Sequence, residues 1–133
     1  MEKRDIKSVL KLDHIVFDKI VFERQGFQNE NEFDFNLQSN ISQRDGSEIY
    51  RCTLLLRGHK PDEYTMEISL TGFFVLSNAD DLSESMKNNL VSKNTVAILM
   101  PYLRSEVSLL TAQPNTDTVV LPVFNINNMI DDE

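Results

Sequence analysis

The sequence is poor in the residues that most chemistry and most targeting require. One cysteine, Cys52, among 133 residues excludes an internal disulfide and leaves a zinc site without its usual cluster of thiols. No apolar run approaches the roughly 18 residues of a membrane span, and the N-terminus MEKRDIKSVLKLDH is too polar for a secretory leader. The expectation is a cytoplasmic chain with no membrane insertion. Neither GxxxxGK[ST] nor GxGxxG occurs, so ATP-driven or dinucleotide chemistry has no cradle. Cations are outnumbered, 13 Lys and Arg against 21 Asp and Glu for a net charge of −8, which repels nucleic acid and anionic lipid alike. No repeat or low-complexity tract breaks the chain. What remains, 41% apolar residues over this length, is enough to bury the core of a single domain, residues 1–133.

In chain order, Met1 to Lys11 is charged and read as a loose segment, with Ile6, Val9 and Leu10 at helical spacing. His14 to Glu23 is rich in β-branched and aromatic residues, and the charged Asp18-Lys19 between its apolar triplets predicts one long strand with a bulge. Phe33, Phe35 and Leu37 alternate with Asp34, Asn36 and Gln38, the period of a half-buried strand. Arg44-Asp45-Gly46-Ser47 supplies a hairpin turn. Glu48 to Arg57, with Leu54-Leu55-Leu56, reads as a central strand, and Gly58 to Asp62 as the next turn. Tyr64, Met66, Ile68 and Leu70 then make one apolar face of a fourth strand. Gly72 marks a bend or a close backbone approach before Phe73-Phe74-Val75-Leu76. Leu82, Met86 and Leu90 predict a short amphipathic helix, and Asn127 to Glu133 a frayed acidic tail.

The stretch from Asn94 to Ile126 organises the rest. Val96, Leu99, Leu103, Val107 and Leu110 share one helical face, in a long helix capped by Ser92 or Asn94. Pro101 lies inside it, a defect worth about 3 kcal/mol in an ordinary helix interior, to be offset by a kink, a crossing with a second copy or a boundary between two helical segments. Val119 to Ile126 reads as a short closing strand. Strands followed by helices indicate an α+β fold, a four-stranded antiparallel sheet with helices packed on one face. Ile98 and Leu109 lie off the main stripe, an excess of apolar helix surface that predicts a homo-dimer or homo-tetramer.

Ile98-Leu99-Met100-Pro101-Tyr102-Leu103-Arg104-Ser105, followed by Leu121-Pro122-Val123-Phe124-Asn125-Ile126, resembles the signature of the SecB family of protein-export chaperones: a helical ILFPYARE and a closing LAPVNF-like strand. Pro101, Tyr102 and Arg104 carry the match. Ser105 departs from it in place of an acidic residue, the closing proline is shifted by one position, and Gln113-Pro114-Asn115-Thr116-Asp117 replaces a Gly-Phe-Pro turn. The resemblance spans roughly residues 12 to 126, is strongest in this segment, and extends to short SecB-like chains of Gram-positive bacteria. It implies a SecB-like fold assembled as a dimer of dimers and an ATP-independent holdase that keeps unfolded or precursor polypeptides translocation-competent. A second implied role is a scaffold for one dedicated partner such as an antitoxin.

By the same resemblance a client groove is lined by Phe33, Phe35, Tyr64, Met66 and Ile68, with Phe73 and Phe74 as further apolar candidates. Each also suits an ordinary core. The family's SecA motor docks on acidic residues of the sheet's outer face, and Glu23 and Glu67 occupy matching positions, whereas Lys19 stands where a third carboxylate would be. SecB chains also continue into a second helix flanking the groove; here Asn127 to Glu133 are expected to leave that wall missing and client binding weaker. Catalysis has little to stand on: His14, His59 and Cys52 have no spacing that joins a nucleophile to a base. The carboxylate pairs Asp62-Glu63, Asp80-Asp81 and Asp131-Asp132 read as solvated turns, caps or tail. No metal and no cofactor is expected.

Overall fold

The structure, a computed structural model, describes residues 9–123. Four strands, β1 (Val9–Arg24), β2 (Asp34–Gln43), β3 (Ile49–Lys60) and β4 (Tyr64–Ser77), precede one helix, α1 (Glu84–Thr111). All neighbours are antiparallel, in the order β1-β4-β3-β2. The connection from β1 to β2 therefore crosses from one sheet edge to the other past the end of the β3–β4 hairpin.

Register decides which side chains share a face. Tyr50, Cys52, Leu54 and Leu56 of β3 and Tyr64, Met66, Ile68, Leu70, Phe74 and Leu76 of β4 are buried, as alternate residues on one face must be. Strand β1 joins this face only because its register shifts twice, between Leu12 and His14 and between Phe17 and Lys19. Each shift adds one residue and reverses the parity. Leu12, Ile15, Phe17 and Phe22 all turn inward although their spacing is irregular, packing partly buried against the core. The bulge at Asp18-Lys19 is as expected; the one at Asp13 is additional. Val9 to Lys11, expected to be loose, belong to β1, because Val9, Leu10 and Lys11 pair with Ser77, Leu76 and Val75.

The two expected helices are one. Ser83 is its N-cap, with the side chain accepting a hydrogen bond from Met86 N at 3.1 Å, and the chain continues helical through Ser92 and Asn94. Val91, Thr95, Val96, Leu99, Met100, Leu103, Val107 and Thr111 are its buried stripe, which runs without a gap from Val91 through Pro101 to the C-terminal end. Thr95 donates back to the Val91 carbonyl at 2.8 Å. Pro101 and Ala97 both lie on the exposed side; the carbonyl deprived of its N–H partner therefore faces water, where the loss is least costly. At Gly72 a Cβ would stand 2.6 Å from Leu99 Cδ2, so the absent side chain is what lets α1 sit down on β4. Lys87 ties the start of the helix to the β2–β3 turn through Glu48, at 2.8 Å. That bond holds the Glu48 carboxyl below its usual range and the Lys87 amine above its own.

The expected closing strand does not join the sheet within the described residues. Val119 to Val123 is irregular chain held by the helix itself: Thr111 Oγ1 accepts from Val119 N at 2.8 Å, Ser108 Oγ donates to Val119 O at 2.8 Å and Arg104 Nε to Leu121 O at 3.1 Å. Three helix side chains replace a strand ladder, and Leu121 is buried beneath them. Phe124 to Ile126, the tail Asn127 to Glu133 and Met1 to Ser8 lie outside the described residues.

Candidate peptide-binding face

At the end of the sheet where β3 turns into β4, the inner face carries a row of aromatic rings. Phe22 of β1 lies 4.7 Å from Tyr64 of β4, centroid to centroid; Phe33 lies 6.2 Å from Tyr64 and 6.0 Å from Phe35. Gly58 makes the seat: a Cβ there would meet Phe33 Cζ at 2.6 Å and Met66 Cγ at 2.8 Å, so the ring occupies the space a side chain would fill. Of the expected groove residues, Phe33, Phe35, Tyr64 and Met66 come together. They divide by depth, however. Tyr64, Met66 and Ile68 are buried in the core, as is Phe74, whereas Phe33 and Phe35 are half-buried rim. Phe73 leaves the group altogether. It shares the outer face with His14, on which it stacks at 4.5 Å, because adjacent residues of a strand point to opposite faces.

Sequence reasoning missed two members. Phe22 joins the rim because the bulges of β1 turn it inward, and Phe27, at 92% exposure, stands on the crossover between β1 and β2. A large apolar residue inside a polar connection is a signal the sequence does contain. Leu109 and Val120, 65% and 69% exposed, lie on α1 and on the chain after it, whose turn is joined to the crossover by Gln28 Nε2 donating to Asp117 Oδ1 at 2.8 Å.

A buried polar cluster fixes the crossover. Glu63, read from sequence as a solvated turn residue, is 0% exposed. Its Oε1 accepts from Lys60 Nζ at 2.9 Å and from Asn29 N at 3.0 Å, and its Oε2 lies 3.8 Å from Arg24 Nη1. Its main-chain carbonyl accepts from Gln25 N at 2.7 Å and Gly26 N at 3.1 Å. Gly26 has to be glycine, since a Cβ would run into the Asp62 carbonyl. Lys60 also reaches Asp117 at 3.4 Å, and Arg24 donates to Asn115 O and to Thr116 Oγ1. Burial alone would lower the Lys60 pKa; Glu63 and Asp117 outweigh it and hold it above the usual value.

Tyr64 lies beside this cluster, and burial, reinforced by Glu63 and Asp117, pushes its phenol up to about 12. The folded state disfavours the phenolate, so the contribution is complete below the unfolded value of about 10 and is lost as pH rises through about 12, on the order of 2 kcal/mol. Its hydroxyl has no hydrogen-bond partner among the described residues. Tyr64→Phe is therefore expected to change neutral-pH stability little and to flatten the alkaline decline. Urea titrations of both proteins from pH 8 to 12 measure it; parallel declines would show that another group is responsible.

The outer face gathers the expected docking carboxylates. Glu67 faces Val21 and Glu23 faces Thr65 across the β1–β4 ladder, but Glu67 is already shared by Lys19 at 3.4 Å and Arg57 at 3.8 Å. Cys52 is buried on the inner face while His14 and His59 are exposed on the outer one, so the sheet itself separates thiol from imidazole. Pro101 and Tyr102 are exposed on α1, and Arg104 is spent on Leu121. No described helix is long and apolar enough to cross a membrane.

No protein-family model matches the chain, and no curated protein does. Among solved structures, it is similar to the SecB-like chaperone Rv1957 of Mycobacterium tuberculosis, in complex with a ChAD peptide from the Rv1956 HigA1 antitoxin. The TM-score is 0.72 at 13% identity, over 87% of this chain and 91% of that one. It is also similar to a Streptococcus agalactiae protein of unknown function, at a TM-score of 0.50 and 11% identity, covering 89% and 100%. The shared feature is the fold, which is SecB-like: a four-stranded antiparallel sheet with a helix packed on it.

Proposed function

We propose that this SecB-like fold serves a non-catalytic chaperone or adaptor that binds extended polypeptide along the aromatic rim of Phe22, Phe33 and Phe35, with Phe27 of the crossover as a further contact. The observation that carries the reading is the contrast in exposure: a rigid buried floor of Tyr64, Met66 and Ile68 beneath half-buried rings, next to a phenylalanine 92% exposed. Exposed aromatic groups beside a packed floor gain apolar burial from any chain laid across them, without a side-chain code. In the broader form of this reading the protein is an ATP-independent holdase that keeps clients translocation-competent in the cytoplasm. The narrower form, an adaptor for one dedicated partner, is favoured by the antitoxin peptide carried by the mycobacterial neighbour. A homo-dimer or homo-tetramer would cover the exposed helix side chains Tyr102 and Leu109, and light scattering should return a multiple of the monomer mass. Docking of the SecA motor on Glu67 would have to displace Lys19 and Arg57 from it.

The test is suppression of aggregation for several unrelated denatured proteins, with Phe27→Ser/Phe33→Ser alongside. The expected result is suppression by the wild type and about tenfold weaker action by the variant, the loss of one exposed and one half-buried aromatic contact. Protection of a single client alone would select the adaptor. Equal activity of the variant would remove the rim from the mechanism.

A further inference from the structure

The outer face of the sheet carries a feature that binding at the inner rim leaves unused. Register aligns His14, Phe73, Arg51 and Ser42 side by side across β1, β4, β3 and β2, with the His14 ring stacked on Phe73 at an interplanar angle of 11°. A hollow of about 420 Å³ opens on one side of the row, lined by Asp18, Asn40, Thr53 and Thr71. A second, of about 400 Å³, opens on the other side toward Arg44 and Ile49. Arg51 and Phe73 line both.

The cations here stand apart from the others. Of the five described arginines, Arg24 is held by Glu63, Arg57 by Glu67 and Arg104 by the Leu121 carbonyl. The guanidinium groups of Arg44 and Arg51 make no ion pair or hydrogen bond among the described residues, and both line the same hollow. In a chain of net charge −8, two uncommitted arginines beside a stacked aromatic pair are an unspent recognition element, because guanidinium binds carboxylate through paired, charge-assisted hydrogen bonds.

We propose that this row docks an acidic segment of a partner protein: an extended peptide whose carboxylates pair with Arg51 and Arg44 while a neighbouring apolar side chain lies over the Phe73–His14 stack. A nucleic acid fits less well. A phosphate backbone carries a charge at every nucleotide and cannot be kept clear of Asp18, whose carboxylate, held by the Ser69 and Thr71 hydroxyls, stands within the first hollow, whereas a peptide can space its carboxylates onto the two arginines. The partner chemistry is opposite in sign to what Glu23 and Glu67 would take, and the inference does not depend on peptide binding at the inner face.

The probe is a dye-labelled, end-blocked peptide repeating Glu-Phe-Ser, read by fluorescence anisotropy at low salt, with its Gln-for-Glu counterpart and a short oligothymidylate as comparisons. Saturable binding is expected, weakened about tenfold or more by Arg44→Gln/Arg51→Gln and by the Gln peptide, and unchanged by Lys93→Gln. Amide resonances of Thr53, Thr71 and Phe73 should shift on titration. All substituted positions are on the surface, and circular dichroism checks the fold. The proposal is overturned by absence of wild-type binding below about 1 mM, or by equal binding of the double variant or of the Gln peptide. Tighter, arginine-dependent binding of the oligothymidylate would replace it with a nucleic-acid site.

Discussion

Glu63→Ala is expected to cost the fold about 3–5 kcal/mol, the range for removing one member of a buried ion pair. The carboxylate is fully buried and answers Lys60 Nζ, the Asn29 amide and, at longer range, Arg24. Without it Lys60, itself buried, keeps only Asp117 among the described residues, at 3.4 Å, and Asp117 is largely in water. The loss should concentrate in the crossover, because Asn29 and Asn31 also donate to the Pro61 carbonyl, each at 2.9 Å, and depend on the same turn. Glu63→Gln, which keeps an acceptor for Asn29 but not the charge, should cost less. Lys60→Met/Glu63→Met, which removes both charges, should recover much of the loss. Urea unfolding of the four proteins measures the series. A cost below about 1 kcal/mol for Glu63→Ala would place these charges in solvent, contrary to their burial.

The second large effect concerns the contact of α1 with β4. Leu99→Ala should cost about 2–5 kcal/mol through lost burial and the cavity left behind. Gly72→Val should cost about 1–3 kcal/mol by overpacking, since even a Cβ there would lie 2.6 Å from Leu99 Cδ2 and 2.9 Å from Phe74 Cε1. The informative measurement is a cycle with Gly72→Ala. In the native background the added methyl group collides with Leu99; in the Leu99→Ala background it enters vacated space and also relieves the entropic weakness of a strand glycine. The two changes should therefore couple favourably by about 0.5–3 kcal/mol. Additive costs would mean that α1 yields at this point and that Gly72 is not what sets its height above the sheet.

The candidate site was legible in part. Alternation along a strand puts Phe33 with Phe35, and Tyr64 with Met66, on one face each; that the two pairs line one groove was implied by the SecB resemblance and not by any period. Their separation into floor and rim was not legible, since that depends on where α1 ends its cover. Phe73 was grouped with Phe74 by chemistry, although strand geometry alone assigns them to opposite faces. Glu63 looked solvated because a carboxylate after Pro61-Asp62 ordinarily is; only the crossover, arriving from β1 far away in sequence, buries it.

What the sequence determined by itself is what short periods encode: the last three strands, the Asp45-Gly46 turn with Gly46 at φ 69°, the bulge at Asp18-Lys19, the apolar stripe of the long helix and the α+β class. These depend on neighbours one to four residues apart. Tertiary structure alone decided the second bulge at Asp13, the fusion of two helical stretches into one of 28 residues, the docking of Val119 to Val123 on helix side chains, and the meeting of Arg44 and Arg51 beside Phe73. The bulge and the placing of Arg51 beside Phe73 relate strands well apart in the chain, while the single helix and the docked segment depend on what those stretches pack against. Register and burial are set by what lies across the ladder or over the face, and no local pattern carries that information.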